Sequence, residues 1–263
     1  MNKKTPAQHA LANYNVADLD RFTGDRWVAM SNALTRAAHG LTLAEKRIVA
    51  VAVSKLDSRK PLALGEVPRT RITAAEYAEI AECEINAAYE ALQDAAKRFY
   101  QRSITFYEAA HNRKGRPLPP TRTQMRWVGE AKYHEGEAWI ELAWWPALLP
   151  HLTNLRRQFT QYQLKQACAL RSAYSWRLLE LLMRFQDSGW AEYTIEDFCE
   201  SMEATEKQRE NFNNIKRRII EPAVKELTEK DGWLIQWRQI KAGRRVKVVR
   251  FDFSRKKQAS LPS

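Results

Sequence analysis

QRENFNNIKRRIIEPAVKEL, residues 208–227, followed by GWLIQWRQIKAGRRVKVVRFDF, residues 232–253, is the stretch that decides the fold. In the first segment Phe212, Ile215, Ile219, Ala223 and Leu227 recur at helical spacing, so one amphipathic helix is expected over Gln208 to Leu227. In the second, apolar and polar residues alternate on both sides of Lys241-Ala242-Gly243-Arg244-Arg245, the pattern of a hairpin with a basic turn. A helix followed by a basic-tipped hairpin is the order found in a winged helix. Residues 206–257 hold sixteen Lys or Arg against seven Asp or Glu, a concentration that points to a polyanion partner.

Working outward, the chain repeats itself. ITAAEYAEIAEC (72–83) aligns with YTIEDFCESMEA (193–204), matching Thr73 to Thr194, Glu76 to Asp197 and Tyr77 to Phe198. Each copy opens with a threonine that can cap a helix and an acidic residue three positions later that answers it. A longer amphipathic helix follows each, carried in the first copy by Ile85, Ala88, Tyr89, Leu92, Ala96 and Phe99. One more helical stretch precedes each, LTLAEKRIVAVAVSKL (41–56) and SAYSWRLLELLMRF (172–185). Strand-like sequence follows each: in the first copy RSITFYEA, a basic loop HNRKGR, TQMRWVGEAKY, a turn over 134–137, and AWIELAW.

The expected class is therefore α+β, with two tandem winged-helix domains. Pro146 and Pro150 interrupt the pattern, so the first domain is expected over 26–150 and the second over 151–255. Residues 1–25 are expected to form an arm and 256–263 a basic tail. Residues 1–150 carry net +4 and residues 151–263 net +8, so the second domain should supply more of any salt-dependent binding.

On the helix 208–227, Glu210, Asn213, Asn214, Arg217 and Glu221 lie opposite the apolar stripe. Asn and Arg present planar forks that match adenine and guanine edges, so Asn213, Asn214 and Arg217 are candidate base readers, while Arg218, nearer the buried boundary, more naturally reaches phosphates. Arg209 and Lys216 are placed to reach phosphates, as are Lys241, Arg244, Arg245 and Lys247 on the hairpin. A solvated basic face with pairs at i,i+4 is the other reading of this helix. Four positive charges at one hairpin tip repel each other, and a phosphate backbone or minor groove would relieve that repulsion. Pro222 falls inside the helical pattern and crowds the carbonyl of Arg218, so a kink or break is expected there. In the first domain Arg69, Arg71, Asn86, Lys97 and Arg98 form a weaker set, for which a structural role, or phosphate contact without base reading, stands beside direct readout.

Composition excludes several function classes. Among 263 residues, net charge +12 and 44% apolar residues describe a folded basic protein. No apolar run approaches the roughly 20 residues that cross a bilayer. MNKKTPAQHALANYN has no apolar signal core, so a cytoplasmic location without membrane contact is expected. Cys83, Cys168 and Cys199 are widely spaced, which suits buried thiols better than a disulfide framework or zinc. The five histidines are scattered with no H-x-H, and no phosphate-binding glycine loop is present. Glu196, Asp197, Glu200 and Glu203 have the spacing of a capped, solvated helix rather than of a metal site. No catalytic residue, metal or cofactor is expected, and the chain does not read as an enzyme.

FTQYQL (159–164) and RSAYSWRLLELLMRF (171–185), with FNNIKRRIIEPAVKEL (212–227) downstream, resemble the initiator (Rep) proteins of theta-replicating iteron plasmids. Ser172, Tyr174, Arg177, Leu178, Glu180 and Leu181 carry one motif, and Lys216, Arg217, Arg218, Ile219, Pro222, Ala223 and Glu226 the other. The resemblance spans about Trp27 to Phe253 and gives Pro222 a place in a pattern. It implies monomer binding to origin iterons in double-stranded DNA, opening of an AT-rich segment, and recruitment of the host initiator and helicase. It further implies a monomer–dimer equilibrium and repression of the protein's own promoter through an operator inverted repeat; chaperones are a further candidate partner. Base reading at Arg217 and Arg218 is implied as well; Asn213 and Asn214 come from helical geometry. A double winged-helix repressor without a replication role is the main alternative. A charge-reading nucleoid or RNA-binding protein and a nicking enzyme stand behind it.

Overall fold

A computed structural model describes residues 23–134 and 136–255. The expected arm through residue 22, Glu135 of the expected turn and the tail 256–263 lie outside the described residues. The chain forms two compact units, Met1–Ala169 and Leu170–Ser263, rather than dividing at residue 150.

The first unit begins with strand β1 (Trp27–Ser31) and helices α1 (Asn32–Arg36) and α2 (Leu43–Ser54). Thr42 and Glu45 form a reciprocal capping box at the start of α2, satisfying donors that a helix terminus leaves open. Strand β2 (Arg69–Thr73) runs directly into α3 (Ala74–Ala81), where Thr73 and Glu76 form the same box. Glu82, in the left-handed region at φ 51°, ends α3. Helix α4 (Ile85–Phe99) follows and buries Ala88, Leu92, Ala95 and Phe99.

Strands β3 (Ser103–His111) and β4 (Pro117–Arg126) then pair as a hairpin. Trp127 is fully buried and divides the expected single strand TQMRWVGEAKY into β4 and β5 (Val128–His134). Strand β6 (Trp139–Trp144) closes a three-stranded sheet of order β2-β6-β5. Last come β7 (Phe159–Gln163) and α5 (Leu164–Cys168). β7 pairs antiparallel with β1, from Trp27↔Gln163 to Ser31↔Phe159, and Arg47 Nε donates to the Cys168 carbonyl at 3.2 Å. These contacts carry the first unit past the prolines, because strand pairing outweighs a local break.

The second unit opens with α6 (Ala173–Met183), capped by Ser172. Its strand β8 (Trp190–Thr194) runs into α7 (Ile195–Ser201), where the Thr194 hydroxyl accepts from Asp197 N. The expected helix 208–227 is not continuous. A separate turn, α8 (Glu206–Arg209), stands before it; the chain then extends at Asn211, whose side chain caps α9 (Phe212–Ile215). The helix continues through a π turn (Lys216–Ile220) into α10 (Glu221–Asp231). Gly232 at φ 66° ends it, and β9 (Trp233–Ala242) and β10 (Arg245–Arg255) complete a sheet of order β8-β10-β9.

The π turn is the form that the expected irregularity at Pro222 takes. Pro222 cannot donate to the Arg218 carbonyl, and the Glu221 N–H reaches back to Lys216 O instead. Four-residue spacings such as 215, 219, 223 and 227 drift by about 40° per step on an ideal helix. A wider turn takes up that drift and lets adjacent Ile219 and Ile220 both be buried. Around them Trp176, Leu179, Phe198, Ala223, Leu227, Val249 and Phe251 form the core. The sheets β2-β6-β5 and β8-β10-β9 have the same order, first strand, last strand, middle strand. Each unit is therefore a winged helix, and the chain is the α+β tandem expected.

Candidate nucleic-acid interface

The continuous helix Phe212–Asp231 presents Asn213, Arg217, Arg218, Glu221, Pro222 and Lys225 to solvent. Among the described residues, the side chains of Asn213, Arg217 and Arg218 have no hydrogen-bond or ion-pair partner. Two adjacent guanidiniums without counter-charge, on a face held by buried Ile215 and Ile219, can present bidentate donors to base edges or phosphates.

Other residues of the predicted set are held by partners within the unit. Asn214 is half-buried; its Nδ2 donates to the Lys207 carbonyl at 2.9 Å and its backbone N–H to Asn211 Oδ1 at 3.0 Å. Arg209 Nε donates to the Ala204 carbonyl at 2.8 Å and Nη2 to the Cys199 carbonyl at 3.1 Å. Both hold the corner between α7 and α9. Tyr174 joins them, its hydroxyl donating to Gln208 Oε1 at 3.0 Å. Lys216 Nζ lies 3.5 Å from Glu221 Oε1 and 6.0 Å from the centre of the Trp237 ring. Asn211 shapes the site from outside the predicted set. An Asn just ahead of the Phe212 stripe is a helix-start signal that points to it.

The wing continues this surface within the same unit. Phe212 and Trp237 have ring centroids 6.4 Å apart, tying helix to hairpin. Trp233, Ile235 and Trp237 face inward, but every residue from Arg238 to Ala242 is exposed. Opposite Arg238 to Ile240, Val248 to Arg250 still pair with β8, so the part of the ribbon that stands beyond the three-stranded sheet is its end, Lys241 to Lys247. Gly243 at φ 63° supplies the positive φ of a two-residue turn. The ladder skips Lys247, which stands unpaired in a bulge that redirects the strand there. Lys241, Arg244, Arg245 and Lys247 are exposed and have no ion-pair partner among the described residues.

In the first unit the predicted cations are mostly neutralised. Arg69 Nη2 is 2.8 Å from Glu130, Arg71 Nη2 is 3.2 Å from Glu141, and Arg98 Nη2 is 3.3 Å from Asp94. Arg71 also lies over the Trp139 ring, 4.0 Å from its centre. Hydrogen bonds from Arg69 and Lys132 hold the Glu130 carboxyl down at about 2. Asn86 and Lys97 are exposed, with no side-chain partner among the described residues.

Among the described residues, no group of three or more His, Cys, Asp or Glu could hold a metal ion. None of the described helices is long and apolar enough to cross a membrane.

Comparison with known proteins gives this arrangement a family. A family model described as initiator replication protein, WH1, matches residues 27–183, and one described as initiator Rep protein, WH2, matches residues 194–253. An uncharacterized 27.6 kDa protein of Escherichia coli is 26% identical over 220 residues, covering 80% of this chain and 88% of that protein. The PI protein of Escherichia coli is 21% identical over 253 residues, covering 84% and 80%. The crystal structure of the Pi initiator protein in complex with iteron DNA superposes with a TM-score of 0.72 at 19% identity, covering 89% of this chain and 99% of that one; this likeness is one of fold. With the two models together spanning most of its length, the chain belongs to the initiator replication protein family and carries both its WH1 and its WH2 domain.

Proposed function

We propose that the protein is a sequence-specific DNA-binding initiator of plasmid replication. The observation that carries this reading is the unneutralised pair Arg217 and Arg218 on an exposed helix face, beside a wing tip whose four cations also lack counter-charge. In a member of the initiator family, that surface suits the major groove, with Asn213, Arg217 and Arg218 at base edges. Lys216, Lys241, Arg244, Arg245 and Lys247 contact phosphates. Asn214 and Arg209 set the angle at which the helix is offered.

The finer steps follow from the family rather than from the geometry. The protein binds direct repeats at the origin as a monomer, opens the adjacent AT-rich segment and recruits the host initiator and helicase. As a dimer it represses its own promoter through an inverted repeat, with chaperones shifting the balance between the two states. The Pi initiator, crystallised with iteron DNA, lends support to the repeat as the target. First-domain contacts at Asn86, Lys97, Arg69, Arg71 and Arg98 complete the proposal; of these, Asn86 and Lys97 have free side chains among the described residues.

The test is selection of bound sequences from random duplex DNA by the purified protein, with the mass of the complex measured on the winning site. A direct-repeat unit of about two helical turns holding one chain is the expected result. An inverted repeat held only by a dimer identifies a repressor without an initiator's binding mode, and absence of enrichment overturns base-specific reading.

A further inference from the structure

The hairpin β3–β4 of the first unit has no counterpart in the second. Helix α10 passes through Gly232 straight into β9, whereas the ribbon Ser103–Arg126 stands between α4 and β5. Its root is anchored: Ile104 and Phe106 are buried, and Thr105 and Ala38 exchange backbone hydrogen bonds of 2.8 and 3.0 Å. Further out the ribbon leaves the body, with Tyr107, Glu108, His111 and residues 121–124 exposed.

The end of this ribbon is a built turn. Asn112 Oδ1 accepts from Lys114 N at 2.9 Å and from Arg116 N at 3.0 Å, and Gly115 N donates to the Asn112 carbonyl at 2.9 Å. Gly115 takes φ 73°. Arg113, Lys114 and Arg116 are exposed there, and none has a carboxylate partner among the described residues. Other arginines of the unit do: Arg69, Arg71, Arg98 and Arg102 each lie within 3.3 Å of a carboxylate oxygen. Three like charges held together on a locked turn repel one another, and a polyanion would turn that cost into binding. The tip shares its make-up with the second unit's wing, a positive-φ glycine flanked by unpaired cations on a projecting two-stranded ribbon. Pro117, Pro119 and Pro120 remove three N–H groups from β4, which makes its free edge a poor template for a strand from a second copy.

We propose that the β3–β4 hairpin is a DNA-binding finger, in which Arg113, Lys114 and Arg116 contact backbone phosphates of duplex DNA. This rests on the DNA-binding reading above and moves the first unit's principal contact from its ion-paired sheet arginines to a separate ribbon. The contact reads charge and not sequence, since a short turn of flexible cations offers phosphates no base-specific geometry.

The experiment is a salt titration of full-length protein on random-sequence duplex DNA, comparing wild type with the triple variant R113Q/K114Q/R116Q and with R113K/R116K. The slope of log K against log salt should fall by about 0.9 for each phosphate that the triple variant no longer neutralises, and stay at the wild-type value in the lysine variant. Melting temperature should not fall, because these side chains have no ion-pair partner among the described residues and neutralising them relieves their mutual repulsion. Wild-type binding with an unchanged slope in the triple variant overturns the finger alone. Loss of self-association by sedimentation, with the slope unchanged, would make the tip an interface between copies instead. If wild type binds no duplex at low salt, the DNA reading of the whole chain fails and the finger fails with it.

Discussion

The guanidinium of Arg177, 4% exposed, donates from Nε to the carbonyl oxygen of Ser201 at 2.5 Å. Ser201 is the last residue of α7, so a side chain from α6 closes the end of one helix of the pair and fixes the corner that leads to the next. Nη2 lies 3.4 Å from Glu203 Oε1 in the same corner. Arg177→Ala should lower the free energy of unfolding by about 2–3 kcal/mol, because a buried carbonyl loses its donor. Lysine should not restore it, having no planar fork. Urea unfolding followed by tryptophan fluorescence measures the loss; unchanged stability would sink the assignment.

Asn213 and Asn214 are adjacent but differ in what they touch. Asn214→Ala removes the bond to Lys207 O and should cost about 1 kcal/mol of stability. Asn213→Ala should leave stability within about 0.5 kcal/mol, as expected of a surface change, and weaken only the selected site. Parallel melting curves and binding isotherms separate the two, and equal effects would mean that the helix face is misassigned.

Arg217→Ala should cost about 1–3 kcal/mol on a selected site, by removal of a bidentate base contact. On random duplex the loss should be much smaller. Competition binding with both DNAs decides it: equal losses make Arg217 a phosphate contact.

Substituting Lys241, Arg244 and Arg245 by alanine should weaken binding to every sequence alike. The slope of log K against log salt should fall by about 0.9 per phosphate left without its cation. A sequence-dependent loss would place the wing at base edges instead.

Glu76 links folding of the first unit to pH. Burial pushes its carboxyl up, but the Lys55 charge, hydrogen bonds from Lys55 and the Thr73 backbone, and Arg26 pull it further down. The net value lies below the ordinary 4.5. A carboxyl lowered by folding stabilises fully above its unfolded value and loses that contribution as pH falls through its folded value. Glu76→Gln should therefore be less stable than wild type near neutral pH, and the gap should narrow below about pH 4. A gap independent of pH between about 6 and 3 would show that the carboxylate charge contributes nothing.

The two capped helix pairs, the alternating hairpin and the clustered charge at its tip were determined by the sequence alone. Each depends on residues within a few positions of one another: Thr73 and Glu76 meet one turn apart, and Trp233, Ile235 and Trp237 alternate on one strand. The family motifs were legible too, although their roles were mixed: Arg177 and Glu180 are buried scaffold while Arg217 and Arg218 face solvent. Tertiary structure decided what depends on distant partners. Trp27–Ser31 finds Phe159–Gln163 and moves the boundary to residue 169. Arg69 finds Glu130 and loses its free charge, while Arg113 finds no carboxylate among the described residues. Local pattern specifies which residues can share a face. Only the closed chain decides which of their charges are left for a ligand, because a counter-ion can come from any point that folding brings within hydrogen-bond reach.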